Sequence, residues 1–194
     1  MDPGIPGCML SRVIVSSESE NRVTDEAARV VMKFGLIDRI VELTRGEQIV
    51  AVKAVSLAEE YLADHFPTFP VLPGVFMLEA MAEAAAWLVR DASDFAPTLV
   101  LLREARNVTY KSFVRPGSVL RVEVNCRRLE SADSDFDGVG FCEDVEVVRG
   151  RFGLRHATLE SRGAGLTSTD QLIKKALRER FGMLQGAVAS DIQR

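Results

Sequence analysis

The rhythm of hydrophobic and polar positions changes several times along this chain. From Phe34 to Val55, two runs rich in Ile and Val, GLIDRIVEL and QIVAVKAV, flank the turn-like TRGE and predict two strands. LAEEYLADHF is short and mixed. Pro67, Pro70, Pro73 and Gly74 then rule out a helix interior or a central strand and predict a loop with a fixed path. VFMLEAMAEAAAWLVR, from Val75 to Arg90, is rich in Ala, Leu, Met and Glu and lacks Gly and Pro, so it predicts the one long helix. At about 100° per residue, Glu79, Ala82, Glu83, Ala86 and Arg90 share a narrow stripe and the rest of the circumference is apolar, the pattern of a helix buried on most sides. Beyond Pro97, TLVLLREARNVTYKSF predicts a strand and RPGS a turn, after which Leu120, Val122, Val124 and Cys126 alternate with polar residues as in a sheet with one wet face. ESADSDFDG predicts a loop, and FCEDVEVV and FGLRHATLE a hairpin turning at RGR. Asp170 to Leu184 predicts an amphipathic helix.

Strands, one buried helix and then further antiparallel strands make an α+β fold. The expected organisation is an N-terminal extension over residues 1–31, a domain over 32–160, and a linker with a C-terminal amphipathic helix over 161–194. At 194 residues the chain is long enough for one ordinary domain. Its net charge of −4 argues against a general nucleic-acid binder, which needs a basic excess. No apolar run reaches the ~20 residues of a membrane span. Three cysteines without a CxxC pair, and two histidines, supply a zinc site poorly and read as reduced thiols in a cytoplasmic protein.

The chemistry gathers around the proline-rich loop. His65 precedes it, and Glu79 lies 14 positions later on the sparsely apolar stripe of the helix. A carboxylate on a mostly buried helix is costly without a partner, so a cleft along that stripe is expected. Gly74 stands at the helix N-terminus, where free N–H groups can receive an oxyanion. Base, acid and oxyanion donor suit proton abstraction beside a carbonyl followed by loss of a β-hydroxyl. The same residues also fit a plain loop histidine and a solvated helix stripe.

The segment DHFPTFPVLPGVFMLEAMAEAA resembles the signature of the 3-hydroxyacyl-[acyl-carrier-protein] dehydratase family of type II fatty acid synthesis, with its HFP…P…PG…EA pattern and the same His-to-Glu separation. FGLIDRIVELTRGEQIVAVKAVS and NVTYKSFVRPGSVLRVEV are similar to flanking parts of that family, and the resemblance covers roughly residues 32–160. It implies the hotdog fold, a long central helix wrapped by a curved antiparallel sheet. It also implies a homodimer, open to assembly as a trimer of dimers, with His65 of one subunit facing Glu79 of the other. By position, His65 resembles the catalytic base and Glu79 its acid partner. Gly74 resembles the glycine whose N–H binds the thioester carbonyl, with Phe66, Phe69 and Val75 beside the substrate. The implied substrate is a (3R)-3-hydroxyacyl chain on acyl carrier protein, dehydrated to the trans-2-enoyl thioester without metal or other cofactor. A hotdog acyl thioesterase and a non-catalytic acyl-binding module are the alternatives. Asp64 departs from the family's glycine; it either favours a charged imidazole or points away. Thr68 and Phe69 replace a Gly-Arg pair, and Phe69 either narrows an acyl tunnel or packs on the helix. Trp87 and His156 read as packing and structural residues.

Overall fold

A computed structural model describes residues 35–186 except positions 67 and 164. The expected N-terminal extension, Cys8 and Pro67 lie outside the described residues. Six strands follow the hydrophobic runs: β1 (Arg39–Thr44), β2 (Gln48–Ala54), β3 (Leu99–Tyr110), β4 (Val119–Leu129), β5 (Asp133–Cys142) and β6 (Val145–Ala157). They form one antiparallel sheet in the order β1-β2-β4-β5-β6-β3. A short helix α1 (Glu60–Asp64) and the long α2 (Gly74–Ala92) separate β2 from β3, and α3 (Thr167–Leu184) ends the described chain.

The period-two alternation of β4 places Leu120, Val122 and Val124 in the core. They meet α2, which touches β2, β3, β4, β5 and β6. Ten of the 19 residues of α2 are buried, among them five alanines, whose small side chains let helix and sheet approach closely. Gly138 of β5 marks the closest approach. A Cβ there would lie 2.7 Å from Met81 Sδ and 2.9 Å from the Phe152 ring.

Two expectations are corrected. ESADSDFDG is not a loop, because β5 begins at Asp133. Its Asp residues alternate with the inward Ser134, Phe136 and Gly138 and are held by arginines of neighbouring strands. Arg103 reaches Asp133 (3.0 Å) and Asp135 (2.9 Å), Arg128 reaches Asp135 (2.7 Å), and Arg127 reaches Asp137 (2.8 Å). Nor does the chain turn at RGR. Glu143 and Asp144, both in the left-handed region (φ 51° and 62°), make the tight turn, and β6 runs on through Gly150. Gly150 is small because β3 bulges against it: a Cβ there would stand 3.0 Å from Val108 Cγ2.

The C-terminal helix is tied down at both ends, to residues flanking the sheet at one and to α2 at the other. Asp170, fully buried, accepts from the Thr98 hydroxyl (2.5 Å) and the Leu159 N–H (2.8 Å), and pairs with Lys174 (2.8 Å). At the other end Phe181 stacks on Trp87 (6.0 Å between centroids) and meets Phe95 edge-on (5.3 Å). Gly138→Val is expected to overpack the helix–sheet contact and cost about 1–3 kcal/mol, read as a lower urea midpoint. An unchanged midpoint would mean that the contact has slack.

Candidate active site

Helix α2 carries Glu79, Glu83 and Arg90 on one stripe, as its periodicity requires, and that stripe faces a cavity of about 260 Å³. Glu79, Ala82, Glu83, Ala86, Trp87 and Arg90 form one wall. Val100 and Leu102 of β3, Leu154 of β6, Leu177 and Arg180 of α3, and Gly35 form the others. All five residues assigned to the stripe from sequence line this space. Trp87, read only as packing, lines it as well while stacking on Phe181.

Two carboxylates and two guanidiniums therefore share a half-enclosed space. Glu83 accepts from the Leu36 N–H (2.6 Å) and from Trp87 Nε1 (3.4 Å). Burial pushes its carboxyl above the ordinary carboxylate range and the Glu79 charge adds to this, while those two donors and Arg180 pull the other way. Arg180 donates to the Ile37 carbonyl (3.5 Å). Arg90 lies over the Trp87 ring (5.0 Å), and its Nε is buried without a hydrogen-bond partner among the described residues. Burial lowers the Arg90 guanidinium to about 10.

His65 ends α1, where its N–H donates to the Tyr61 carbonyl (3.2 Å), and its ring lies 4.5 Å from that of Phe66. It is half-buried and is not among the residues lining the Glu79 cavity. Phe66 has φ 52°, an uncommon left-handed conformation for an aromatic residue, and its carbonyl accepts from the Phe69 N–H (2.8 Å) to close a turn. Leu72 N–H to the Val114 carbonyl (2.8 Å) fixes the far end of the loop. Phe69 meets Phe113 edge-on (5.9 Å) with Arg115 over its face (5.1 Å). Phe66, Phe69, Val75 and Phe113 are all exposed. The side chain of Asp64 lies outside the described residues.

Gly74 opens α2 after Pro73, so the N–H groups of Gly74 and Val75 have no acceptor within the helix, while that of Phe76 donates to the Pro73 carbonyl (2.9 Å). The missing side chain has a second reason: a Cβ on Gly74 would lie 3.2 Å from the Tyr110 ring. Within one chain, then, the Glu79 cavity and the His65 loop are separate features, with Gly74 at the start of the helix that carries Glu79. Among the described residues no group of three His, Cys, Asp or Glu is placed to hold a metal. His156 is buried and bonds through Nε2 to Ser134 Oγ (2.7 Å), a structural pairing that its strand position alone did not reveal.

The FabA-like domain family model matches residues 30–151. The chain is 39% identical over 108 residues to the 3-hydroxyacyl-[acyl-carrier-protein] dehydratase FabZ of Variovorax paradoxus, covering 54% of this chain and 72% of that one. It is 40% identical over 118 residues to the FabZ of Saccharophagus degradans, covering 59% and 77%. It is 43% identical over 96 residues to the FabZ of Chloroflexus aggregans, covering 50% and 67%. Among solved structures, the dehydratase heterocomplex ApeI:P from Xenorhabdus doucetiae superposes with a TM-score of 0.55 at 22% identity, covering 68% of this chain and 89% of that one, a likeness of fold.

The raised Glu83 carboxyl makes a stability prediction. Between the ordinary value of 4.5 and its higher folded value, the folded state binds more protons than the unfolded one, so stability falls as pH rises through that window. Glu83→Gln is expected to flatten that fall and to raise the melting temperature at neutral pH relative to wild type, with less gain at pH 4. Parallel melting curves against pH for the two proteins would contradict the assignment.

Proposed function

We propose, since this chain belongs to the FabA-like domain family, that it dehydrates 3-hydroxyacyl thioesters of acyl carrier protein to trans-2-enoyl thioesters in fatty acid or related acyl-chain synthesis. The observation that carries this reading is Glu79, a carboxylate on the single polar stripe of a buried helix, opening into a cavity inside the span that the family model matches. On this reading His65 takes the proton from C2. The electron pair forms the C2–C3 double bond, the C3–O bond breaks, and the departing hydroxyl takes a proton from Glu79 to leave as water. His65 then holds a proton and Glu79 lacks one, and exchange with solvent resets both. The N–H of Gly74 holds the thioester oxygen as negative charge gathers on it, and Phe66, Phe69 and Val75 flank the bound chain. No metal or other cofactor enters these steps.

Because His65 does not line the cavity of Glu79 in its own chain, we read the complete site as shared between two copies. Two observations support a homodimer. Strand β3 pairs with β6 alone in the sheet and leaves a 12-residue edge that carries exposed Leu101, Leu102 and Tyr110. The His65 loop adds exposed Phe66 and Phe69, an apolar surface that a partner would cover. The hotdog arrangement, with the sheet curled about α2, is supported by the contact of that helix with five strands. Residues 32–160 form the dehydratase domain in this reading, and 161–194 are an addition that brings α3 to the cavity. No helix among the described residues is long and apolar enough to cross a membrane. A cytoplasmic setting accords with Cys126 and Cys142 as free thiols.

His65→Ala is expected to abolish enoyl-thioester formation followed by mass spectrometry, and Glu79→Gln to lower it ~10²–10⁴-fold. Full activity of either variant overturns its role, and release of free thiol without an enoyl product would assign thioester hydrolysis instead. Leu101→Asp, on the β3 edge, is expected to yield monomers by light scattering and to lose activity together with the dimer. An active monomer would refute the shared site.

A further inference from the structure

Arg90 is the unexplained charge of the cavity. It is the last polar residue of the α2 stripe, 11 residues beyond Glu79, which places it about 16 Å further along the helix axis. Its neighbours leave its Nε unmet, although the Glu83 charge acts on the guanidinium. Glu83, the carboxylate nearest in sequence on the stripe, is turned to the Leu36 N–H and the Trp87 Nε1. Trp87 stands between the two, offering its N–H to Glu83 and its ring face to Arg90. That face supplies electrostatic attraction but accepts none of the five N–H bonds a guanidinium offers. Arg90 Nε is buried without an acceptor among the described residues, and desolvation holds its pKa down at about 10. A buried donor left unmet is costly, and a planar guanidinium is met best by a carboxylate, which takes two of its N–H groups at once. Arg180 adds a second cation to the same lining. Between Glu79 and Arg90 the wall carries Glu83, whose carboxyl is taken up by the Leu36 N–H and Trp87 Nε1, and is otherwise apolar or small, with Ala82, Ala86, Val100 and Leu102.

Resting on the dehydratase reading, we propose that Arg90 anchors a carboxylate at the distal end of the acyl chain, so that this enzyme prefers 3-hydroxyacyl thioesters ending in a carboxylate over those ending in a methyl. The thioester and its hydroxyl lie at Glu79, the methylenes run along the alanines of α2, and the terminal carboxylate meets the guanidinium. An unsubstituted chain in the same place would leave Arg90 buried against a methyl group, so the arginine rejects the plain acyl chain as well as attracting the acidic one.

The test compares methyl-ended and carboxyl-ended 3-hydroxyacyl thioesters of matched, short to medium length, each carried on acyl carrier protein and on N-acetylcysteamine, which lacks the phosphate of the carrier arm. Wild-type protein is expected to favour the carboxyl-ended chain at least tenfold in kcat/KM on both carriers, mostly through KM. Arg90→Met is expected to reverse that order, weakening use of the carboxyl-ended chain at least tenfold and improving use of the methyl-ended one. Equal use of both chains by wild type, or preference for the methyl-ended chain, overturns the proposal and does not depend on any variant folding. A loss in Arg90→Met confined to the carrier-protein substrates overturns it too, by assigning the anion to the carrier-arm phosphate. Arg90→Lys, which keeps the charge without the planar fork, is expected to retain only part of the preference. Absence of turnover with every 3-hydroxyacyl thioester would sink the dehydratase reading and this inference together, whereas turnover of the methyl-ended chain alone sinks only the inference.

Discussion

A helix enclosed on nearly every side has very few places to put a charge. In α2 the apolar arc meets five strands, so each ionisable side chain of its middle turns is confined to one line along the axis. The rest of the site follows from that confinement. Glu83 answers burial with two N–H donors, Arg90 with the face of Trp87, and Glu79 by opening on the cavity. Lengthening the alanines that neighbour these residues would fill the cavity and press the helix off the sheet. Small side chains thus serve on both sides of the helix: Ala82 and Ala86 line the cavity, while Ala80, Ala84 and Ala85 are buried outside its lining.

That line was legible in the sequence because helical periodicity is local: 3.6 residues per turn brings Glu79, Glu83, Ala86 and Arg90 onto one face whatever lies around them. The alternation of β4 was legible for the same reason. The start of β5 was not. Asp, Ser and Gly are turn formers by their own backbone preferences, and here an alternating run of aspartates is held in a strand by salt bridges from Arg103, Arg127, Arg128, Arg151 and Arg155. Those arginines come from other strands. Likewise Gly150 looks like a turn when its neighbours in sequence are considered, but its small size answers to Val108, on another strand.

The site repeats this division between local and distant causes. Its candidate residues were identifiable from spacing and resemblance, whereas their surroundings were not. The sequence points to Gly74 through the approach of a carbonyl to a helix N-terminus, yet the ring of Tyr110 also claims the space where a side chain would be. The contribution of α3 was invisible for a similar reason. Its amphipathic pattern indicates that one face is buried, but not that Leu177 and Arg180 lie over the stripe of α2. That placement depends on Asp170, which joins Thr98 and Leu159 across the chain and leaves the helix little freedom to swing away.

The separation of His65 from the Glu79 cavity is itself a consequence of the topology. Both belong to one short stretch of chain, but the proline-rich loop is fixed at its far end to Val114, while α2 turns its polar stripe toward β3, β6 and α3. The imidazole is accordingly absent from the lining of the Glu79 cavity in its own chain. On the proposed shared-site reading, a second copy would present its own loop to that cavity. It would also cover the phenylalanines beside His65 and the free edge of β3, so the same contact that completes the chemistry would remove the apolar surface a lone chain leaves in water. On that reading, assembly and catalysis are one requirement: a substitution that weakens the edge acts on turnover through the distance between two side chains on different subunits.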